Sequence, residues 1–426
     1  MIAVLLASLL TAAELGPAAT TTPVTLTLAD AAALARAHGP AAQRAAVVRQ
    51  GALESLEAQR AGMRPDLDFQ ARTDAGTPTL RDPALPHALV QPAFQAIASL
   101  SAEQILLAAG GDALHRRLAA GRAAAQADYE AALAKAACEA RLAWLDLVAA
   151  KAGFAVADEA VRAAEAQSQR VADLLAVQRV ADVDRLQAEA GVLEARSARV
   201  EAAGGVALAA AALNRLLGSP VLDRPLAADL PDDLPPALGD LAAAIKEAQA
   251  HRPEVIALRA RAAEAAAGVE LARAGDYPTV SATAGLAART RDAFDPAFDA
   301  RLGLVVRWPL SRTDGEARRH AAEADDGARQ ARQALTELLG GIELEVRRAW
   351  TDDQTARQKV DLAAARADAA TEALRIKVLQ YDRARATLLD VTQARLEMSR
   401  AALDKITARL AVHRAAVAAA LATGRS

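Results

Sequence analysis

The run Ala272-Arg273-Ala274-Gly275-Asp276-Tyr277-Pro278 restates a pattern met earlier in the chain, where Arg60, Gly62 and Pro65 stand as Arg273, Gly275 and Pro278 do here. The displacement is 213 residues and extends outward, because Leu28, His38 and Pro40 recur as Leu241, His251 and Pro253. Further on, Glu139, Trp144, Asp184, Gln187 and Gly218 recur as Glu345, Trp350, Asp390, Gln393 and Gly424, now displaced by 206. The chain is therefore a duplication with one seven-residue length change, placed between Pro65 and Trp144 of the first copy. Periods this long exclude short solenoid repeats.

The copies occupy residues 24–217 and 241–424, and five prolines mark the linker 218–240 between them as non-helical. Each copy opens on a predicted helix, 29–62 and 242–275, that carries an early proline and stops at a glycine followed three residues later by proline. The helical period is then lost over 65–107 and 278–310. Stretches such as Leu67-Asp68-Phe69-Gln70-Ala71-Arg72 and Arg301-Leu302-Gly303-Leu304 predict a β-hairpin in each copy. A helical region without proline follows, 112–217 and 315–423. Leu186, Leu193, Val200 and Ala207 in one copy, and Leu396, Leu403, Leu410 and Val417 in the other, are spaced by seven as a coiled-coil seam requires. Breaks in the pattern at 177–184 and 381–387 predict that each region folds back into a hairpin of two helices. Halves of about 50 to 55 residues would each be about 75 to 80 Å long.

Composition narrows the function. Alanine supplies 119 of the 426 residues, whereas aromatics make up 3%, so the apolar content is mostly methyl groups suited to long helices in close approach. With 50 Lys+Arg against 53 Asp+Glu and a net charge of −3, no basic excess points to nucleic acid. The single Cys138 forms no internal disulfide, and no two of the six histidines stand at metal-ligand spacing on one helix. Neither a nucleophile elbow nor a phosphate-binding glycine loop is present, so the chain reads as no enzyme, with no cofactor and no metal.

The leading Met1-to-Ala13 run is apolar and uncharged, too short to span a bilayer but suited to an export signal over residues 1–19. The longest uncharged run, Pro83 to Ala102, is broken by Pro86 and Pro92, so a membrane crossing would have to use strands. The hairpins hold only Phe69, Phe94, Phe294, Phe298 and Trp308 as aromatics, which predicts sparse interfacial anchoring.

Two copies of helix, β-hairpin and long helical hairpin behind an export signal resemble the TolC-type outer-membrane efflux protein family. So do the local runs Leu26-Thr27-Leu28-Ala29-Asp30-Ala31, Arg252-Pro253-Glu254-Val255, Trp308-Pro309-Leu310 and Leu388-Leu389-Asp390-Val391-Thr392-Gln393-Ala394. The resemblance covers about residues 24 to 424. It implies a mainly α chain with membrane β: a homotrimer that builds a 12-stranded barrel in outer-membrane lipid over an α-helical barrel extending into the periplasm. It also implies a passive exit duct for tripartite efflux or type I secretion, coupled through a periplasmic membrane-fusion adaptor to an inner-membrane transporter. By the same resemblance Asp390 matches a pore-constriction aspartate, with Gln393 in place of the second. Asp184, Tyr381 and Arg385 fall at or beside positions that latch the hairpin tips, the latch arginine itself being Ala386 here. Asp184 and Asp390 equally suit N-terminal capping of the returning helices. The rival class is a soluble elongated coiled-coil scaffold or periplasmic structural protein, which needs neither signal nor β-hairpins.

Overall fold

The computed structural model describes residues 24–62, 64–75, 94–108, 110–231, 233–274, 277–290, 296–308, 314–383 and 385–425. The expected signal over 1–19, Phe294 and the Pro309-Leu310 run lie outside the described residues. In chain order the elements are β1 (Val24–Thr25), α1 (Leu28–His38), α2 (Pro40–Ala61), β2 (Asp66–Ala75), β3 (Phe94–Leu107), α3 (Gly111–Ala176) and α4 (Asp182–Leu216). The second copy follows as β4 (Leu226–Ala227), α5 (Leu241–His251), α6 (Pro253–Ala274), β5 (Thr279–Thr290), β6 (Pro296–Arg307), α7 (Asp314–Asp382) and α8 (Leu388–Thr423).

The first helix expected in each copy is two helices. Proline bars the preceding residue from the α region, and Gly39 (φ −60°, ψ 143°) and Arg252 (φ −62°, ψ 131°) are accordingly extended. Pro40 and Pro253 then sit at the first position of α2 and α6, where no backbone N–H is missed. Upstream, Thr27 caps α1 in a reciprocal box: its Oγ1 accepts from Asp30 N and Asp30 Oδ2 accepts from Thr27 N, both at 3.1 Å. Asp240 caps α5 by accepting from Ala243 N at 3.0 Å.

The helical hairpins turn where the pattern breaks, but not at their midpoints: α3 has 66 residues against 35 in α4, and α7 has 69 against 36 in α8. The equal halves expected from sequence are thus corrected. Part of the excess length, residues 111–127 of α3 and 314–337 of α7, falls in a different compact unit, which also holds residues 49–61 of α2 and 256–274 of α6.

The described residues form two units. One comprises the chain up to Val48, Asp128–Val255 and from Leu338 onward; the other comprises Arg49–Ala127 and Ile256–Glu337. Each draws on both copies. In the first unit, Trp144, Leu145, Leu147 and Val148 of α3 pack with Leu213 and Leu217, with Leu26, Ala31 and Ala35, and with Leu410 and Val417 of α8. The Trp144 indole Nε1 donates to Leu26 O at 2.8 Å, and the β1–β4 pair adds a short parallel ladder, Val24↔Leu226 and Thr25↔Ala227. The linker is strapped down through its carbonyls: Asn214 Nδ2 donates to Leu222 O and Arg224 O, Arg357 to Pro235 O and Arg409 to Pro231 O. Of the two seams, that of α8 ends buried at Leu410 and Val417, whereas Leu186, Leu193 and Val200 of α4 stand 56–71% exposed.

In the second unit, β2, β3, β5 and β6 form one antiparallel sheet in that order, so the two hairpins pair through β3 and β5 while β2 and β6 remain as edges. Beside it, the Arg116 guanidinium pairs with Glu270, and Arg273 pairs with Asp325 at 3.1 Å, tying α3 to α6 and α6 to α7.

Candidate functional site

The sheet has two chemically opposite faces, and the register shows it row by row. Across β2, β3, β5 and β6 one face reads Ala71, Ala98, Ala288, Phe298; then Phe69, Leu100, Leu286, Ala300; then Leu67, Ala102, Ala284, Leu302. The other face reads Gln70, Ser99, Ala287, Asp299; then Asp68, Ser101, Gly285, Arg301; then Asp66, Glu103, Thr283, Gly303. Successive residues point to opposite sides of a strand, so alternation in four paired strands separates apolar from polar over these rows, while nearer the ends Ile97, Ile105 and Val305 fall on the polar face and Thr73 and Gln104 on the apolar one. The apolar face is uncovered: Leu67 and Phe69 are each 69% exposed, and Leu302 is 90% exposed. Ion pairs lie on the polar face, Arg72 with Asp74 at 2.8 Å and Arg301 with Asp299 at 2.6 Å. From Phe298 to Val306 the apolar row of β6 covers about 27 Å of strand, or about 20 Å along a membrane normal at a tilt of about 40°. Among the described residues no helix is long and apolar enough to cross a membrane.

The hairpin tips hold the other candidate residues. Asp390 is the third residue of α8, and its Oδ2 accepts from Thr387 N at 2.9 Å and from Thr387 Oγ1 at 2.7 Å, while Thr387 Oγ1 accepts from Asp390 N at 3.2 Å. These bonds, with Lys377 Nζ 3.6 Å from Oδ1, hold the carboxyl below its usual range. Asp184 takes the same place on α4, but there the cap residue is Ala181, and the one remaining bond runs from Ala181 N to Asp184 Oδ2 at 3.4 Å. Tyr381 is buried with Val171, Ala188, Leu388 and Val391, and its hydroxyl has no hydrogen-bond partner among the described residues. Burial, then the Asp184 and Asp382 carboxylates, push the phenol up. Arg385 is exposed at the turn, where its backbone N–H donates to Gln380 O at 2.8 Å, and Gln393 is exposed on α8.

The tip thus brings Asp184, Tyr381 and Asp390 around one small cluster and leaves Arg385 and Gln393 outside it. Sequence reading missed three basic groups here. Lys377 lies one turn before Tyr381, and Arg170 Nη1 and Arg179 Nη2 reach Asp382 Oδ2 and O at 3.6 and 3.5 Å. Around the first turn Arg170, Arg179 and Arg185 are matched by Asp173, Asp182 and Asp184, so no charge excess marked these groups and only the placing of both tips together brings them to the cluster. Among the described residues no group of His, Cys, Asp and Glu is arranged to hold a metal ion.

A duplicated helical hairpin that carries a two-faced, four-stranded antiparallel sheet is the fold of the TolC-like outer-membrane channels. The chain is similar to the CmeC outer membrane channel of Campylobacter jejuni at a TM-score of 0.81 and 18% identity, covering 96% of this chain and 90% of that one. It is similar to the outer membrane protein VceC of Vibrio cholerae at 0.79 and 20% identity, covering 93% and 96%. Residues 244–425 match the family described as outer membrane efflux protein. Protein CyaE of Bordetella pertussis is 32% identical over 194 residues, which span 43% of this chain and 38% of that relative. That match lies on the second copy, and over its length the chain has the fold of the TolC-like outer-membrane channels. The hairpin-free coiled-coil scaffold is set aside by the sheet.

Proposed function

We propose that the protein is a passive outer-membrane exit channel, assembled as a homotrimer and coupled through a periplasmic adaptor to an inner-membrane pump. The observation that carries this reading is the sheet with an uncovered apolar face, a polar face and two open edges. In lipid an unpaired strand edge leaves backbone groups without partners, and three copies closing edge to edge would remove every edge. The resulting 12-stranded ring would turn the Leu67, Phe69, Leu302 and Leu304 face to lipid and the Asp68, Arg301 and Glu103 face to a water-filled lumen. The exposed seam of α4 is apolar surface that neighbouring copies would cover in an α-helical periplasmic barrel.

At the tips, three copies of Asp390 would ring the pore entrance with Gln393 beyond them, and Asp184, Tyr381 and Arg385 would latch the hairpins. Lys377 offsets part of the Asp390 charge, so cation block is expected to be weaker than in a ring of unpaired aspartates. Planar bilayers test both parts. The purified protein should form long-lived single channels, and Asp390→Asn, which keeps an acceptor for Thr387 N–H but removes the charge, should lower cation selectivity and multivalent-cation block. Absence of channels from natively folded protein would remove the exit-duct reading. Unchanged selectivity and block in Asp390→Asn would leave Asp390 as a helix cap alone.

A further inference from the structure

The two open edges of the sheet carry complementary charge. On the polar face the edge strand β2 presents Asp66, Asp68, Arg72 and Asp74, and the edge strand β6 presents Asp299, Arg301 and Arg307, so β2 is net acidic and β6 net basic. Arg72 with Asp74 and Arg301 with Asp299 are paired within their own strands at 2.8 and 2.6 Å. Asp68 Oδ2 accepts from Gln70 Nε2 at 3.2 Å, and Asp66, Asp68 and Arg307 are exposed, with no ion-pair partner among the described residues. In the three-protomer ring proposed above, on which this inference rests, β6 of one protomer lies antiparallel to β2 of the next. Which residues then face each other is a matter of register.

Face, tilt and charge together select that register. A slip of one residue would exchange the two faces, so the permitted registers step by two. Rows inside the chain run from Asp66 through Glu103 and Thr283 to Gly303, and closure without offset would bring Gly303 to Asp66 of the next protomer and leave the strands untilted. Strands rise about 3.3 Å per residue and stand about 4.8 Å apart, so in a 12-stranded ring an offset of four residues per protomer tilts them by about 35° and six by about 46°, whereas two or eight give about 19° or 54°. Membrane barrels tilt by about 35 to 45°, which leaves four or six. Offsets of that size in the opposite sense would pair at most four residues of each edge and strand the rest in lipid. At four, Asp66 gains Arg307, but Arg72 faces Arg301 and Asp74 faces Asp299, and like charges directly opposite are destabilising. At six, Asp68 faces Arg307, Asp74 faces Arg301, and no like charges are opposed. We propose that protomers close at the six-residue offset, with Asp68 of one against Arg307 of the next. The Arg72–Asp74 and Arg301–Asp299 pairs then meet as one row of alternating charge across the seam, which is keyed on its polar side.

The test uses the full chain in outer-membrane fractions, read as heat-resistant trimer and as disulfide cross-linking between protomers. Arg307→Asp, which sets a second acid against Asp68, should lower the trimer yield about fivefold or more. Adding Asp68→Arg should restore it, whereas adding Asp66→Arg should not. Among cysteine pairs that share Leu304→Cys, Ala71→Cys lies directly opposite at the six-residue offset and should cross-link about fivefold faster than Phe69→Cys, which the four-residue offset would favour. The cysteine readout alters no charge, so it stands even where Arg307→Asp fails to insert. A trimer yield indifferent to Arg307→Asp, rescue by Asp66→Arg in place of Asp68→Arg, or faster cross-linking through Phe69→Cys would each overturn the register and leave the ring standing. Folded protein that gives neither trimer nor any cross-link would remove the ring and the register together.

Discussion

The duplication provides internal controls residue by residue. Thr387 and Ala181 are equivalent across the 206-residue displacement, and only Thr387 has a hydroxyl for the third backbone N–H of its helix. A lost N-cap costs about 1 kcal/mol, so Thr387→Ala should speed amide exchange in the first turn of α8 about fivefold. Ala181→Thr should slow it in α4 by a similar factor, and equal exchange before and after both changes would deny the cap any role. Asp390 adds a pH dependence of known sign. Its folded carboxyl is held below its ordinary value, so its stabilisation is present above about pH 4 and is lost as pH falls through the lower folded value. Protection of the α8 first turn, corrected for intrinsic exchange, should therefore hold from neutrality to about pH 5 and decline in stronger acid. Asp390→Asn should flatten that decline. Trp144 and Trp350 form a third matched pair, donating to Leu26 O and Gly239 O, themselves 213 residues apart, at 2.8 and 3.2 Å. Trp144 is 2% exposed, so Trp144→Phe leaves a buried carbonyl unpaired and should cost about 1 to 3 kcal/mol, more than the same change at half-buried Trp350.

Elements of the two copies end alike but pack differently, and glycine records the difference. Gly218 and Gly424 follow α4 and α8 with φ of +75° and +77°, the left-handed conformation that side chains resist. A methyl on Gly218 would run into His38 O beside Gly39, whereas one on Gly424 would meet Arg252 Cα at 3.3 Å. Gly424→Ala should therefore cost about 1 to 2 kcal/mol from conformation, while Gly218→Ala must also move backbone and should lower the melting temperature further. Equal losses would place the whole effect in the backbone conformation. Much of this level was legible in the sequence: the copies, the breaks at 177–184 and 381–387, within which the turns fall, and the hairpin in each copy follow from displacement, proline-free length and alternation. The proline breaks at Gly39 and Arg252 were readable from residue chemistry alone, since X-Pro excludes the α region, and the expectation of single helices gave the 35-residue pattern too much weight. The unequal hairpin arms were not legible, because Ala, Glu and Arg fill every face and leave no period that says where one set of partners gives way to another. The tip cluster was half legible: acids and the tyrosine stood in recognisable runs, whereas Arg170, Arg179 and Lys377 reach Asp382 and Asp390 only through the fold.

At the scale of the whole molecule the open question is how the sheet edges β2 and β6 are satisfied, and edge chemistry makes it measurable. Cys138 is the single cysteine, buried, with its thiol pushed up by desolvation, so the wild-type background of disulfide formation should be low. Cysteines introduced pairwise on the apolar rows, Leu67, Phe69 or Ala71 of β2 against Ala300, Leu302 or Leu304 of β6, report whether these edges meet in neighbouring copies. Within one chain β3 and β5 lie between the two edges, and neighbouring strands are about 4.8 Å apart, so an intrachain bond across about 14 Å is excluded. In outer-membrane fractions the best-matched pair should give covalent dimers and trimers on oxidation, with no larger species, because a heterologous contact that closes by three-fold rotation stops at three. Either cysteine alone should remain monomeric in denaturing gels. A ladder extending beyond three copies would mean that the edges join without closing, as in an open filament. A failure of every pair to cross-link in folded, membrane-embedded protein would refute the closed ring and with it the orientation of the apolar face towards lipid.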